Sequence, residues 1–375
     1  MEPGRYARHA LIDWFPQARV RAARIAVVGA GAVGNEVVKN LALLGVGTVD
    51  VFDFDRVELH NLTRSVFLRE DDVGAPKAEA VAARAGAVDP TVEVRGLVGD
   101  FRDHLSLSRL AAYDCAVAAV DNFEARLNLS EMCLLAGVDL VNAGIDSRHA
   151  VVEAFPFGHA ADCACYECHL PESAYQRIAE RYSCGGLKRA AQAERLIPTT
   201  AITASIAGAF AASAALRLGG EAKPQARRTF VDTLGGAAGS VALARNAECV
   251  GCGPLRPTPR LVRARNDWLP ALARASEAYV RTGEAIIVDC ECASCGDRSA
   301  ASRYALRRAR DFDDRIAVCS QCGRPAVRIE IRDQFGATEL AELFGARPLP
   351  VGYIVASHAR GAITIDITEP RERSA

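Results

Sequence analysis

The sequence predicts an α/β protein, a Rossmann-like doubly wound sheet followed by a smaller C-terminal α+β unit. Three observations lead there. Short apolar runs alternate with stretches of helical apolar spacing as far as residue 143. A glycine turn, Gly29-Ala-Gly31-Ala-Val-Gly34, joins the first run to the first such stretch. Beyond Pro254, Pro257 and Pro259 the pattern restarts with its own paired cysteines.

In chain order, Arg24 to Val28 reads as a strand and Val33 to Leu44 as the helix after the glycine turn. Thr48 to Phe52 is a second strand, ending in Asp53-Phe-Asp55. A helix near Pro76 to Ala87, strands Val92 to Arg95 and Cys115 to Ala119, helix Phe123 to Ala136 and strand Leu140 to Ala143 complete the alternation. From Ala150 come another strand, a cysteine cluster, an Ala-rich helix over 199–217 and strands Arg228 to Asp232 and Gly239 to Arg245. The second unit reads as a helix from Asp267 to Thr282, strands Ala285 to Val288 and Ala326 to Ile331, a short helix near Thr338 to Phe344, and strands Tyr353 to Ala356 and Ala362 to Ile367. The expected organisation is an arm over 1–24, a nucleotide-binding domain over 25–254 and a small domain over 255–375.

Composition narrows the function classes. With 375 residues, 50% hydrophobic content and a formal net charge of −1, the chain can bury a large core and shows no charge bias toward nucleic acid. The longest apolar run, Ala201 to Leu216, is short and rich in Ala, Ser and Gly, which favours a close-packed buried helix over a membrane span. Eight of the 13 cysteines fall in four Cys-x2-Cys pairs, which is metal-ligand spacing and points to the reducing cytoplasm.

Gly29, Gly31 and Gly34 suit a phosphate loop, and Asp53, at the end of the second strand, suits a ribose hydroxyl. A nicotinamide dehydrogenase would carry the same features. The stretch Asp53-Phe-Asp55-Arg-Val-Glu-Leu-His-Asn61-Leu-Thr-Arg64, then Lys77, then Asp121-Asn122, separates the readings. Two fixed cations and a carboxylate suit ATP under attack by another anion. Arg64 and Lys77 offset the repulsion, and Asp121 can hold Mg2+ through oxygen.

From Arg5-Tyr6-Ala7-Arg8 through these motifs to Cys249-x2-Cys252, the chain resembles the ubiquitin-activating, ThiF/MoeB-type adenylyltransferases. The resemblance implies that Gly29, Gly31 and Gly34 form the ATP loop, that Asp53 contacts the ribose, and that Asn61, Arg64 and Lys77 hold the triphosphate. Asp121 would take Mg2+, with Asp55 and Asn122 alongside. Arg8 matches an arginine that reaches across a homodimer into the neighbouring ATP site. Where the family usually has glutamine, this chain has His9 and Ser65.

Cys165, Cys168, Cys249 and Cys252 give four thiolates suited to one structural Zn2+, and the resemblance implies the same. Cys292, Cys295, Cys319 and Cys322 read as two knuckles of a zinc ribbon, with Cys290 a spare or alternative ligand. Cys115 and Cys133 read as core residues. Cys184, in the cationic stretch Arg181-Tyr-Ser-Cys184-Gly-Gly-Leu-Lys188-Arg189, is the first candidate for a thioester nucleophile and Cys163 the second; a chain without its own thioester is the third reading.

The expected function is ATP-dependent adenylation of the C-terminal carboxylate of a ubiquitin-like protein ending in glycine, then capture by Cys184 and transfer to a conjugating enzyme. The alternative is a sulfur-carrier adenylyltransferase of molybdopterin or thiamine type. An NAD-dependent oxidoreductase and an inactive scaffold are the distant rivals.

Overall fold

The computed structural model describes residues 4–173, 198–221, 224–255, 258–264, 268–273, 279–298, 301–313, 317–345, 347–358 and 361–367. The chain splits into two compact units, with the main division between Gly253 and Pro254.

In the first unit, β1 (Arg24–Val28), β2 (Thr48–Asp53), β3 (Glu93–Val98), β4 (Cys115–Ala118) and β5 (Asp139–Ile145) are parallel. The antiparallel strands β6 (His149–Phe155), β7 (Arg227–Asp232) and β8 (Ala237–Ala242) extend the sheet, giving the order 3-2-1-4-5-6-7-8. The chain leaves β1 toward β2 and β3 and then crosses to β4, so the switch point of the winding lies between β1 and β4. Open α/β sheets bind ligands at the carboxyl ends of the strands beside such a point.

The helices follow from their apolar stripes and stop signals. α1 (Gln17–Ala22) leads into β1. α2 (Ala32–Leu44) buries Val33, Val37, Val38 and Leu41 on the sheet and ends at Gly45, whose φ of 77° a side chain would resist. Leu41 is fully buried, and its truncation to alanine would cost about 2–5 kcal/mol. α3 (Lys77–Val88) links β2 to β3, two short helical turns at Phe101–His104 and Leu107–Leu110 lie between β3 and β4, and α4 (Phe123–Ala136) links β4 to β5.

α5 (Ala201–Arg217) is capped by the Thr200 hydroxyl, which accepts from the Thr203 N–H at 3.2 Å. The helical stretch Ala201–Gly220 is long and apolar enough to cross a membrane by length and composition. Here α5 buries Ala204, Ala207, Gly208, Ala211 and Ala215. At Gly208 it approaches α2 so closely that an added Cβ would lie 2.3 Å from Glu36 Cβ.

The second unit is a five-stranded sheet in the order β11-β10-β12-β13-β9, built from β9 (Arg260–Arg263), β10 (Tyr279–Cys292), β11 (Val327–Gly336), β12 (Tyr353–His358) and β13 (Gly361–Asp366). α6 (Ala337–Phe344) adds Leu340 and Phe344 to a core of Trp268, Val280, Phe335, Ile354 and Ile365. The expected helix over 267–282 needs correction. Helix covers Leu269–Ala273, whereas Tyr279 to Thr282 open the long strand β10. Val280 there pairs with Phe335 on one side and Ala356 on the other. Tertiary pairing of an aromatic and β-branched stretch outweighs the helical spacing that precedes it.

Candidate functional site

Gly29 follows β1 at a φ of 101°, and an added Cβ would lie 2.5 Å from the Ala119 carbonyl oxygen after β4. An added Cβ at Gly34 would lie 1.9 Å from the Gly29 carbonyl oxygen. Both glycines are therefore demanded by close backbone approach. Gly31, the N-cap of α2, meets nothing within 4 Å, leaving open space before the helix N-terminus.

Asp53 ends β2 beside this loop and accepts from the Ala30 N–H at 2.6 Å and the Asp55 N–H at 2.7 Å. Burial raises its pKa, while those two hydrogen bonds and the charge of Lys77 oppose the rise. Lys77, nearly buried, donates from Nζ to Asp55 Oδ2 at 2.8 Å, and its own N–H reaches the Asp55 carbonyl at 2.9 Å.

Asn61 and Arg64 belong to the turn over 59–64. The buried Asn61 accepts through Oδ1 from the Glu58 N–H at 2.9 Å. Arg64 donates to the His60 carbonyl at 2.8 Å and has no carboxylate partner among the described residues, so its charge is uncommitted. Ser65 is buried behind it. Asp121 follows β4 as an exposed carboxylate, 3.3 Å from Asn122 Nδ2. Asn122 caps α4, accepting from the Ala125 N–H at 2.8 Å.

Thus the glycine loop, Asp53 and Asp121 share the carboxyl edge of β1, β2 and β4, with Asp55 and Lys77 continuing from β2. Two residues that organise this edge escaped the sequence reading. Asn35, fully buried, donates to the carbonyls of Ala30 at 2.7 Å and Gly31 at 3.0 Å and accepts from the Phe67 N–H at 3.1 Å. It thereby ties the glycine loop to the segment that carries Arg64. The one available signal was a polar residue on the buried face of an apolar helix. Arg126, whose pKa burial lowers, donates to the Val120 carbonyl and to Asn142. Asn142 in turn donates to Glu153 at 2.7 Å, and Glu153 accepts from Arg228 at 2.8 Å.

Arg8 lies elsewhere. It is exposed, on an arm held at the opposite edge of the sheet. Cys184 falls in 174–197, outside the described residues. Cys163 is buried, as are Cys115 and Cys133, whose thiols burial pushes up.

Cys165, Cys168, Cys249 and Cys252 bring their sulfurs to 3.8, 3.7 and 3.6 Å along three edges of one cluster. A tetrahedron with Zn–S of about 2.3 Å has S···S edges of about 3.8 Å, so the set could hold a zinc ion. Cys292, Cys295, Cys319 and Cys322 form a second such cluster, with edges of 3.7 and 3.6 Å. Cys290 is buried nearby, its thiol pushed up to about 11 by burial.

The profile described as the ThiF family matches residues 6–251. The chain is 36% identical over 172 residues to the SAMP-activating enzyme E1 of Haloferax volcanii, covering 45% of this chain and 62% of that one. It is 32% identical over 247 residues to a sulfur carrier protein adenylyltransferase of Thermus thermophilus, covering 65% and 87%. The chain thus spans less than two thirds of the Haloferax protein. Among solved structures, that of E. coli MccB with ATP aligns at a TM-score of 0.55 and 23% identity over 67% of this chain and 75% of that one, a likeness of fold.

Proposed function

This chain belongs to the ThiF family, and on that premise we propose that it adenylates the C-terminal carboxylate of a ubiquitin-like protein and then captures the acyl group on Cys184. The observation that carries this reading is the convergence at one sheet edge. An open helix N-terminus behind Gly31, the Lys77 ammonium and the Asp53 and Asp121 carboxylates meet there, and Asn35 ties in the segment bearing the uncommitted guanidinium of Arg64. A dehydrogenase has no use for that surplus of phosphate-directed charge.

In the first step a carboxylate oxygen of the carrier attacks the α-phosphorus of ATP. The bond to the β-phosphate bridging oxygen breaks, and its electron pair leaves with pyrophosphate. No general base is needed, because the attacking carboxylate is ionised at neutral pH. Gly29, Gly31 and Gly34 cradle the phosphates, Asp53 accepts from the ribose, Asn61, Arg64 and Lys77 hold the triphosphate, and positioning with fixed charge supplies the acceleration. Asp121, an exposed oxygen donor, suits Mg2+, which when bound neutralises phosphate charge. In the second step the Cys184 thiolate attacks the acyl carbon and AMP leaves.

Arg8 serves the ATP site of a second copy in a homodimer, a conjugating enzyme receives the thioester, and the two cysteine clusters hold structural Zn2+. The sulfur-carrier reading keeps the first step and omits Cys184. The Thermus relative, matched over 65% of this chain, favours keeping it in view.

Pyrophosphate exchange with a small β-grasp carrier ending in glycine tests both steps. Exchange should survive in Cys184→Ala, while a carrier adduct cleaved by thiol reductant should form only when Cys184 is present. Exchange without any adduct would move the sulfur-carrier reading ahead, and no exchange with any such carrier would remove both.

A further inference from the structure

The N-terminal arm is fastened at two points on either side of Arg8. Upstream, the Tyr6 hydroxyl donates to Asp89, whose side chain is 1% exposed. Asp89 also accepts from the N–H and hydroxyl of Thr91 at 2.9 and 2.8 Å. Arg5 Nε lies 3.5 Å from the same carboxylate, and its Nη1 donates to the Val88 carbonyl at 3.1 Å. The Tyr6 hydroxyl and ring fill the space that a Cβ at Gly45 would need, the hydroxyl oxygen lying 2.3 Å from that position, and Arg21 lies over the ring at 5.9 Å. Downstream, His9 Nδ1 meets Gln17 Oε1 at 2.7 Å, and Gln17 donates to the Leu44 carbonyl at 2.9 Å. Between the two fastenings Arg8 is exposed and makes no side-chain hydrogen bond or ion pair among the described residues.

The fastenings are on the wrong edge for Arg8 to serve its own loop. Gly45 and Asp89 precede the first residues of β2 and β3, whereas Gly29 and Asp53 stand at the far ends of β1 and β2. Strands of five and six residues separate these edges by roughly 15–20 Å. We propose that Tyr6, Arg5 and Asp89 form a clasp that presents Arg8 to the ATP site of a second copy of this chain, with His9 and Gln17 as the second fastening. The clasp orders the arm in advance, so docking does not have to freeze a free segment. Tyr6 and Asp89 are positioning residues acting through Arg8, and the inference rests on the reading of Arg8 as a group donated in trans.

The test uses full-length dimers assembled from two differently tagged copies, with α,β-methylene-ATP and Mg2+ as the probe. A Lys77→Ala copy supplies an intact arm, and an Arg8→Ala copy supplies an intact nucleotide edge. The mixed dimer should bind the analogue more tightly than either mutant homodimer; no gain would overturn donation in trans, and the clasp with it. Given the gain, Tyr6→Phe on the Lys77→Ala copy should weaken binding about tenfold, the size expected for losing a hydrogen bond to a charged group. The same change on the Arg8→Ala copy should leave binding unaltered. Because both dimers carry the same substitution once, a general folding defect would weaken both. Equal effects in the two placements, or none in either, would overturn the clasp while leaving donation in trans intact.

Discussion

Arg64→Ala is expected to lower carrier-dependent pyrophosphate exchange by about 10²–10³-fold, the usual loss when one preorganised group facing developing charge is removed. The expectation rests on how the two cations are held. Lys77 is shared with Asp55 at 2.8 Å, so a phosphate must compete for it. Arg64 is fixed by one backbone carbonyl and leaves its charge free for an incoming anion. Arg64→Lys should recover part of the loss, since an ammonium keeps the charge and gives up the planar fork. The side chain is half-exposed, so unfolding free energy should change by less than about 0.5 kcal/mol, and denaturant titration separates lost chemistry from lost fold. Exchange within twofold of wild type would remove Arg64 from the phosphate site.

The second large effect concerns metal. Purified protein is expected to carry two zinc ions, and Cys252→Ser should remove one of them and destabilise the first unit by several kcal/mol. In isolated zinc-finger peptides the bound ion contributes about 10–16 kcal/mol. The effect should be smaller here because the first unit has its own core around β1 and α2. Cys252 is fully buried, and a serine there would leave three sulfurs crowded without a fourth ligand. Cys292→Ser should remove the other ion and destabilise the second unit, whose smaller core of Ile287, Phe312 and Val327 lies with that cluster. Elemental analysis with thermal unfolding checks both. Metal-free wild type, or a Cys252→Ser protein with unchanged stability, would contradict the structural role of the first cluster.

What could be read from the sequence depended on how local its cause was. The glycine loop declares itself because one of its close approaches is local: a side chain at Gly34 would meet the Gly29 carbonyl five positions back, whereas the approach of Gly29 to Ala119 is not written in the loop itself. The cysteine pairs were legible for the same reason, since two ligands of each cluster come from one short turn. The four long helices of the first unit were legible, and α2, α3, α4 and α5 fall where the sequence put them, whereas the short helices Gln17–Ala22, Phe101–His104 and Leu107–Leu110 were not read. Causes distant in the chain were not legible. Asn35 matters because Phe67 comes back to it, Arg126 because Asn142 does, and Tyr6 because Asp89 does. Tyr279 to Thr282 is a strand because β11 and β12 flank it, and nothing within the segment announces those partners. Cys184, the residue on which the second step rests, lies outside the described residues.

The most direct measurement is the intact mass of the carrier after incubation with the Cys184→Ala protein, which cannot pass the acyl group on to that thiol, with Mg2+ and ATP under inorganic pyrophosphatase. The adenylation account predicts a carrier heavier by one adenylyl group, acid-stable, lost on mild base or hydroxylamine, and absent when its terminal glycine carboxylate is amidated. A carrier of unchanged mass, or an adenylyl group that persists on the amidated carrier, would contradict it.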